Sequence, residues 1–112
     1  MDSYNVIISP EALEQLENCL DYIHYTLQNE IAAKSVYEDA VETTAVLSTV
    51  AGSLAPCRSK ELQKYGYKII NFRRHQYLMV YRVSESIVYV EGIFHQKQDY
   101  ENLLIRKFDD YD

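Results

Sequence analysis

Hydrophobic residues recur along this chain in two rhythms, and the rhythm changes once. Tyr4 to Ile8 is a short run with Val6, Ile7 and Ile8 side by side, the composition of a β-strand. Ser9-Pro10-Glu11 follows, with a capping hydroxyl, a proline suited to the first helical position and an acid facing the positive end of the dipole. Leu13, Leu16, Leu20, Ile23 and Leu27 are then spaced alternately by three and four, which predicts an amphipathic helix to about Gln28. Asn29-Glu30 opens a second such pattern through Ala33, Val36, Ala40, Leu47 and Val50. Thr43 or Thr44 fills its gap, and Gly52 is a stop. The break between the two stripes is short, so they form an antiparallel helical hairpin.

Periodicity disappears from Ser53 to Gly66, which reads as a loop. Three strands are predicted after it: Tyr67 to Arg73, Tyr77 to Val83, and Ile87 to Phe94. Their connections, Arg74-His75-Gln76 and Ser84-Glu85-Ser86, are short enough only for hairpins. Asp99 to Phe108 is a short terminal helix or an extended tail. The expected fold is α+β in the order β-α-α-β-β-β, with the helical hairpin packed on one face of a small, mainly antiparallel sheet. One domain fills residues 1–112, with an acidic tail at 108–112.

Strand alternation divides the sheet residues. Ile70, Phe72, Leu78, Val80, Val88, Val90 and Phe94 are expected to face the helices. The other parity contains Asn71, Arg73, Tyr77, Met79, Tyr81, Tyr89, Glu91, Ile93, His95 and Lys97. That face is expected to be uncovered, and an open face of tyrosines, cations and a histidine is a candidate binding surface.

Charge sharpens this picture. The 112 residues carry a net charge of -6, which argues against a protein that grips nucleic acid indiscriminately. Residues 1–56, however, hold nine acids and one base, whereas residues 57–107 hold ten bases and five acids. The loop-and-sheet half is therefore locally basic, the pattern of a site for a polyanion. Cys19 and Cys57 form no metal motif with the three histidines, and no metal or cofactor is expected. With no secretory signal and no apolar run of about 20 residues, the expectation is a cytoplasmic protein with reduced thiols and no membrane segment.

Three segments in this order resemble the RelE/ParE superfamily of toxins from bacterial type II toxin–antitoxin modules. They are Tyr4-Asn5-Val6-Ile7-Ile8-Ser9-Pro10-Glu11-Ala12, then Tyr67-Lys68-Ile69-Ile70 with Leu78-Met79-Val80-Tyr81-Arg82-Val83, and finally Ile93 through Leu104. The resemblance implies a growth-arresting toxin neutralised by a cognate antitoxin. The antitoxin is expected to wrap an extended or helical segment over the basic sheet face and the grooves beside the hairpin.

Two chemistries occur in that superfamily. RelE-like members cut mRNA on the ribosome, and ParE-like members poison DNA gyrase. The residues carried over favour the first. Arg73 matches an arginine that contacts the scissile phosphate, Lys97 falls where a cation follows the last strand, and His95 lies near a C-terminal catalytic histidine. Arg58, Lys60 and Lys64 match substrate-binding lysines, while Tyr81 or Tyr100 would stack on a base. His75, Glu61 and Glu91 are further acid–base candidates. Cleavage at ribose requires a group to take the 2′-hydroxyl proton, another to protonate the leaving oxygen, and cations on the phosphorane. The expected function is thus a ribosome-dependent mRNA endonuclease. The alternatives are a gyrase inhibitor and a degenerate toxin that only binds its antitoxin.

Overall fold

The computed structural model describes residues 3–54 and 60–109, with side chains described as far as residue 106. Strand β1 (Asn5–Ile8) leads into helix α1 (Pro10–Asp21), and α2 (Glu30–Val50) returns antiparallel to it. A short helix α3 (Lys60–Lys64) precedes β2 (Lys68–Asn71), β3 (Tyr77–Ser84), β4 (Ile87–His95) and α4 (Tyr100–Asp109).

Both helix starts are capped as their residues predict. The Ala12 amide donates to Ser9 Oγ at 3.1 Å, and the Ala32 amide donates to Asn29 Oδ1 at 3.0 Å. The end of α1 differs from expectation. α1 widens into a π turn at Tyr22–Thr26, where the Leu27 amide reaches back to the Tyr22 carbonyl. Gln28 then reverses the chain in the left-handed region, at φ 50°. α2 ends at Val50, and Gly52 lies in the 3-10 turn that follows at Ala51–Ser53, where the Tyr4 hydroxyl occupies the space of a Cβ.

The sheet order is β1-β4-β3-β2, with β1 parallel to β4 and the other pairs antiparallel. Asn5 to Ile8 register against Ile87 to Val90, so the first strand and the last are neighbours. One irregularity controls which way side chains point. Val80 lies opposite Gly92 and Tyr81 opposite Val90, so Glu91 is an extra residue on β4, a β-bulge.

The expected parity is therefore only partly right. Ile70, Phe72, Val88 and Val90 do pack in the core beneath the hairpin. Tyr77, Met79, Tyr81 and Ile93 join them there, although expected on the open face. Leu78, Val80 and Phe94 point the other way. The reason is register: Ile70 pairs with Met79, not with Leu78, and the bulge flips β4 between Val90 and Ile93.

Nor is the second face bare. Leu62 of α3 and Leu104 of α4 close over Tyr67, Leu78, Val80 and Phe94, making a second core. The predicted loop at 53–66 thus contains a helix whose one apolar residue, Leu62, is wholly buried. α3 ends at Gly66, whose φ of 80° lets the Tyr67 amide return to the Leu62 carbonyl. Among the described residues, no helix is long and apolar enough to cross a membrane.

Candidate functional site

The turn Arg73-Arg74-His75-Gln76 between β2 and β3 and the exit of β4 at His95 share one end of the sheet. Tyr77 and His95 are register partners, their rings meet edge-on at 5.1 Å, and the Gln96 amide donates to the Gln76 carbonyl at 2.9 Å. Arg73, His75, His95 and Lys97 are thereby gathered at this end, two strand spacings apart, which is roughly 10 Å of backbone.

The basic turn is not a free loop. Asp39, in the middle of α2 and fully buried, accepts hydrogen bonds from three consecutive amides: Arg73 at 3.1 Å, Arg74 at 3.0 Å and His75 at 2.9 Å. Ser35 Oγ lies 2.9 Å from His75 Nε2, and the Arg74 guanidinium pairs with Glu42 at 3.3 Å. Arg73 is exposed and makes no ion pair among the described residues. Sequence reasoning missed Asp39. Its signal was an acid three residues after Val36 and four before Thr43, on a stripe that should be apolar.

His95 is held from its own loop. Its amide donates to Gln98 Oε1 at 2.8 Å, and the Lys97 amide donates to His95 Nδ1 at 3.0 Å. A backbone amide can only donate, so Nδ1 supplies the lone pair and the proton of the neutral ring sits on Nε2. The ring borders a cleft of about 390 Å³ between α1, the end of β4 and the start of α4, with Cys19, Tyr22, Tyr77, Gln98 and Leu103 around it. Burial pushes the Cys19 thiol up, against a hydrogen bond with Tyr77 that lowers it. Burial likewise raises Tyr77, and the Cys19 contact raises it further. Neither Arg73 nor Lys97 lines this cleft.

The other expected site residues are dispersed. Tyr81 is fully buried beneath the hairpin, its hydroxyl donating to the Ala51 carbonyl at 2.9 Å, so it offers no face to a base. Tyr100 opens α4 and packs on Phe94 with ring centroids 5.9 Å apart. Lys60 and Lys64 are exposed on α3, across the sheet from the hairpin, and Lys64 lies 3.8 Å from Glu61. Glu91 is paired with Arg82 at 3.4 Å, and Arg82 also covers the Tyr89 ring at 4.4 Å. Arg58 and Cys57 lie outside the described residues. No cluster of three metal-ligating side chains exists among the described residues.

A helical hairpin on a four-stranded sheet, with a basic turn pinned to the hairpin, defines a small α+β domain. The chain superimposes on a chain from the chromosomal ParDE TA system of P. aeruginosa with a TM-score of 0.69 and 19% identity, covering 83% of this chain and 96% of that one. Residues 6–100 match the family described as the ParE toxin of the type II toxin-antitoxin system, parDE, and the chain belongs to that family. It is a RelE/ParE superfamily toxin, and its partner is a cognate antitoxin. No curated protein sequence matches it.

Proposed function

We propose that this toxin arrests growth by inhibiting DNA gyrase and does not cut mRNA. Membership of the ParE family supports that reading. The observation that carries it is the state of the His95 imidazole. RNA cleavage needs a base with a free lone pair at the 2′-hydroxyl. In neutral His95 the Nδ1 lone pair is taken by the Lys97 amide and Nε2 carries the proton. His75 Nε2 lies 2.9 Å from Ser35 Oγ, so that ring nitrogen is engaged with α2. With Tyr81 buried, the stacking partner expected for a base is withdrawn as well.

What remains at this end of the sheet are exposed cations, Arg73 and Lys97, suited to contacting a target rather than to moving protons. Purified toxin should block supercoiling of relaxed plasmid by gyrase and accumulate cleaved gyrase–DNA complexes, while leaving mRNA on programmed ribosomes intact. In cells, Arg73→Ala should relieve growth arrest and His95→Ala should not. Ribosome-dependent cleavage without any effect on gyrase would overturn the proposal. So would the absence of arrest on inducing the wild type, which would mark an antitoxin-binding protein only.

A further inference from the structure

A buried carboxylate is unfavourable unless hydrogen bonds or cations offset its charge. Among the described residues, Asp39 is offset by neither a lysine nor an arginine side chain but by the three successive backbone amides of Arg73, Arg74 and His75. Such converging amides form a small anion-binding concavity, here filled by the protein's own side chain. The residues one turn to either side extend the grip. Ser35, Asp39 and Glu42 follow the helical spacing of four and three, so one stripe of α2 meets the turn residue by residue. Ser35 meets His75, Glu42 meets Arg74, and Asp39 meets all three backbones. Arg73 is held by its amide alone, which leaves its exposed guanidinium available.

We infer that Asp39 is the positioning residue of this toxin: it locks the backbone of the 73–75 turn so that Arg73 is presented to the target in one arrangement. Glu42 meanwhile keeps Arg74 from competing for the same contact. An arginine on a fixed backbone loses less freedom on binding than one on a mobile loop, which is the advantage of preorganisation. The inference rests on the reading of Arg73 as a target contact, but not on which target it meets.

Asp39→Asn tests it with little change of volume. An amide presents one oxygen and one NH₂, so at least one of the three amides loses its acceptor whichever way the group turns. In purified Asp39→Asn toxin, at least one of the amides of Arg73, Arg74 and His75 should lose at least about tenfold in hydrogen-exchange protection, while those of β3 and β4 keep theirs. In cells, Arg73→Ala should weaken growth arrest at least about tenfold in the wild-type background and under about threefold in the Asp39→Asn background.

A purely structural Asp39 would lower protection everywhere and leave the effect of Arg73→Ala the same in both backgrounds. Either result would overturn the inference, as would unchanged protection at 73–75, or arrest indifferent to Arg73→Ala in the wild type. If Asp39→Asn does not fold, Ser35→Ala removes only the His75 anchor, and the same two readouts should move about threefold. Failure of the gyrase reading is separable, because supercoiling would then be unaffected while exchange and arrest still behaved as stated.

Discussion

Replacing Tyr81 by Phe distinguishes a tyrosine whose hydroxyl holds the core together from one whose hydroxyl serves a functional surface. In the folded protein its ring has no solvent exposure, and its hydroxyl donates to the Ala51 carbonyl at 2.9 Å, joining β3 to the turn that ends α2. Phe keeps the ring and its packing and removes only the hydroxyl, depriving the Ala51 carbonyl of that donor. Such a loss is worth ~1–2 kcal/mol. A domain of this length unfolds with an entropy of about 0.24 kcal/mol/K, so Tm should fall by about 4–8 °C. Tyr81→Ala removes the ring as well and should lose ~3–5 kcal/mol, a large share of the ~5–15 kcal/mol that holds a small domain. The assay is thermal unfolding of purified toxin followed by circular dichroism, with growth arrest scored in parallel below the midpoint. Tyr81→Phe should be less stable yet still toxic. A variant of unchanged Tm that no longer arrests growth would refute this reasoning and restore Tyr81 to the functional surface.

The other predictions concern packing and pH. At Gly92, a Cβ would run into the Phe94 ring, so Gly92→Ala should destabilise by about 1–3 kcal/mol and lower the urea midpoint. Gln15→Ala should lose about 1 kcal/mol by the same measurement, since Gln15 Oε1 accepts the Ile93 amide at 2.8 Å where β4 has run past the end of β1. Burial raises the phenols of Tyr77 and Tyr67, the latter also through Glu91. A phenol whose folded pKa is raised contributes stability that is complete below its unfolded value of about 10 and lost as pH rises toward the folded one. Tyr77→Phe should therefore lose less stability than the wild type between about pH 9 and about pH 11, and an equal loss would contradict the assignment.

The chain's local signals were legible where local chemistry decides the outcome. Ser9 and Asn29 cap the helices that follow them because a short polar side chain can reach an orphan amide three residues on. The meander was legible because its turns are too short for anything else. What was hidden depends on pairing across the sheet. The one-residue bulge at Glu91 leaves no mark on hydrophobic alternation, yet it reverses the side on which Phe94 lies. Tyr81 read as a surface aromatic because the phase of β3 is set by the pairing of Ile70 with Met79, which hydrophobic alternation does not reveal. α3 was hidden because a single buried residue, Leu62, cannot establish a helical period. Asp39 was visible as an acid on an apolar stripe, but its partners lie 34 to 36 residues away and only the fold joins them.

The parallel pairing of β1 with β4 also sets an order on folding. Val6 and Ile8 have no strand to lie against until Val88 and Val90 exist, some 82 residues later. β4 is an interior strand, flanked by β1 and β3, so a chain stopped before it lacks one of the sheet's two central strands. Contacts so distant in sequence form late, after a long loop has closed. The Asp39 clamp does not wait for it, because α2 and the hairpin between β2 and β3 both precede β4 in the chain. β1, made first, therefore takes its place in the sheet only once the final strand has been made.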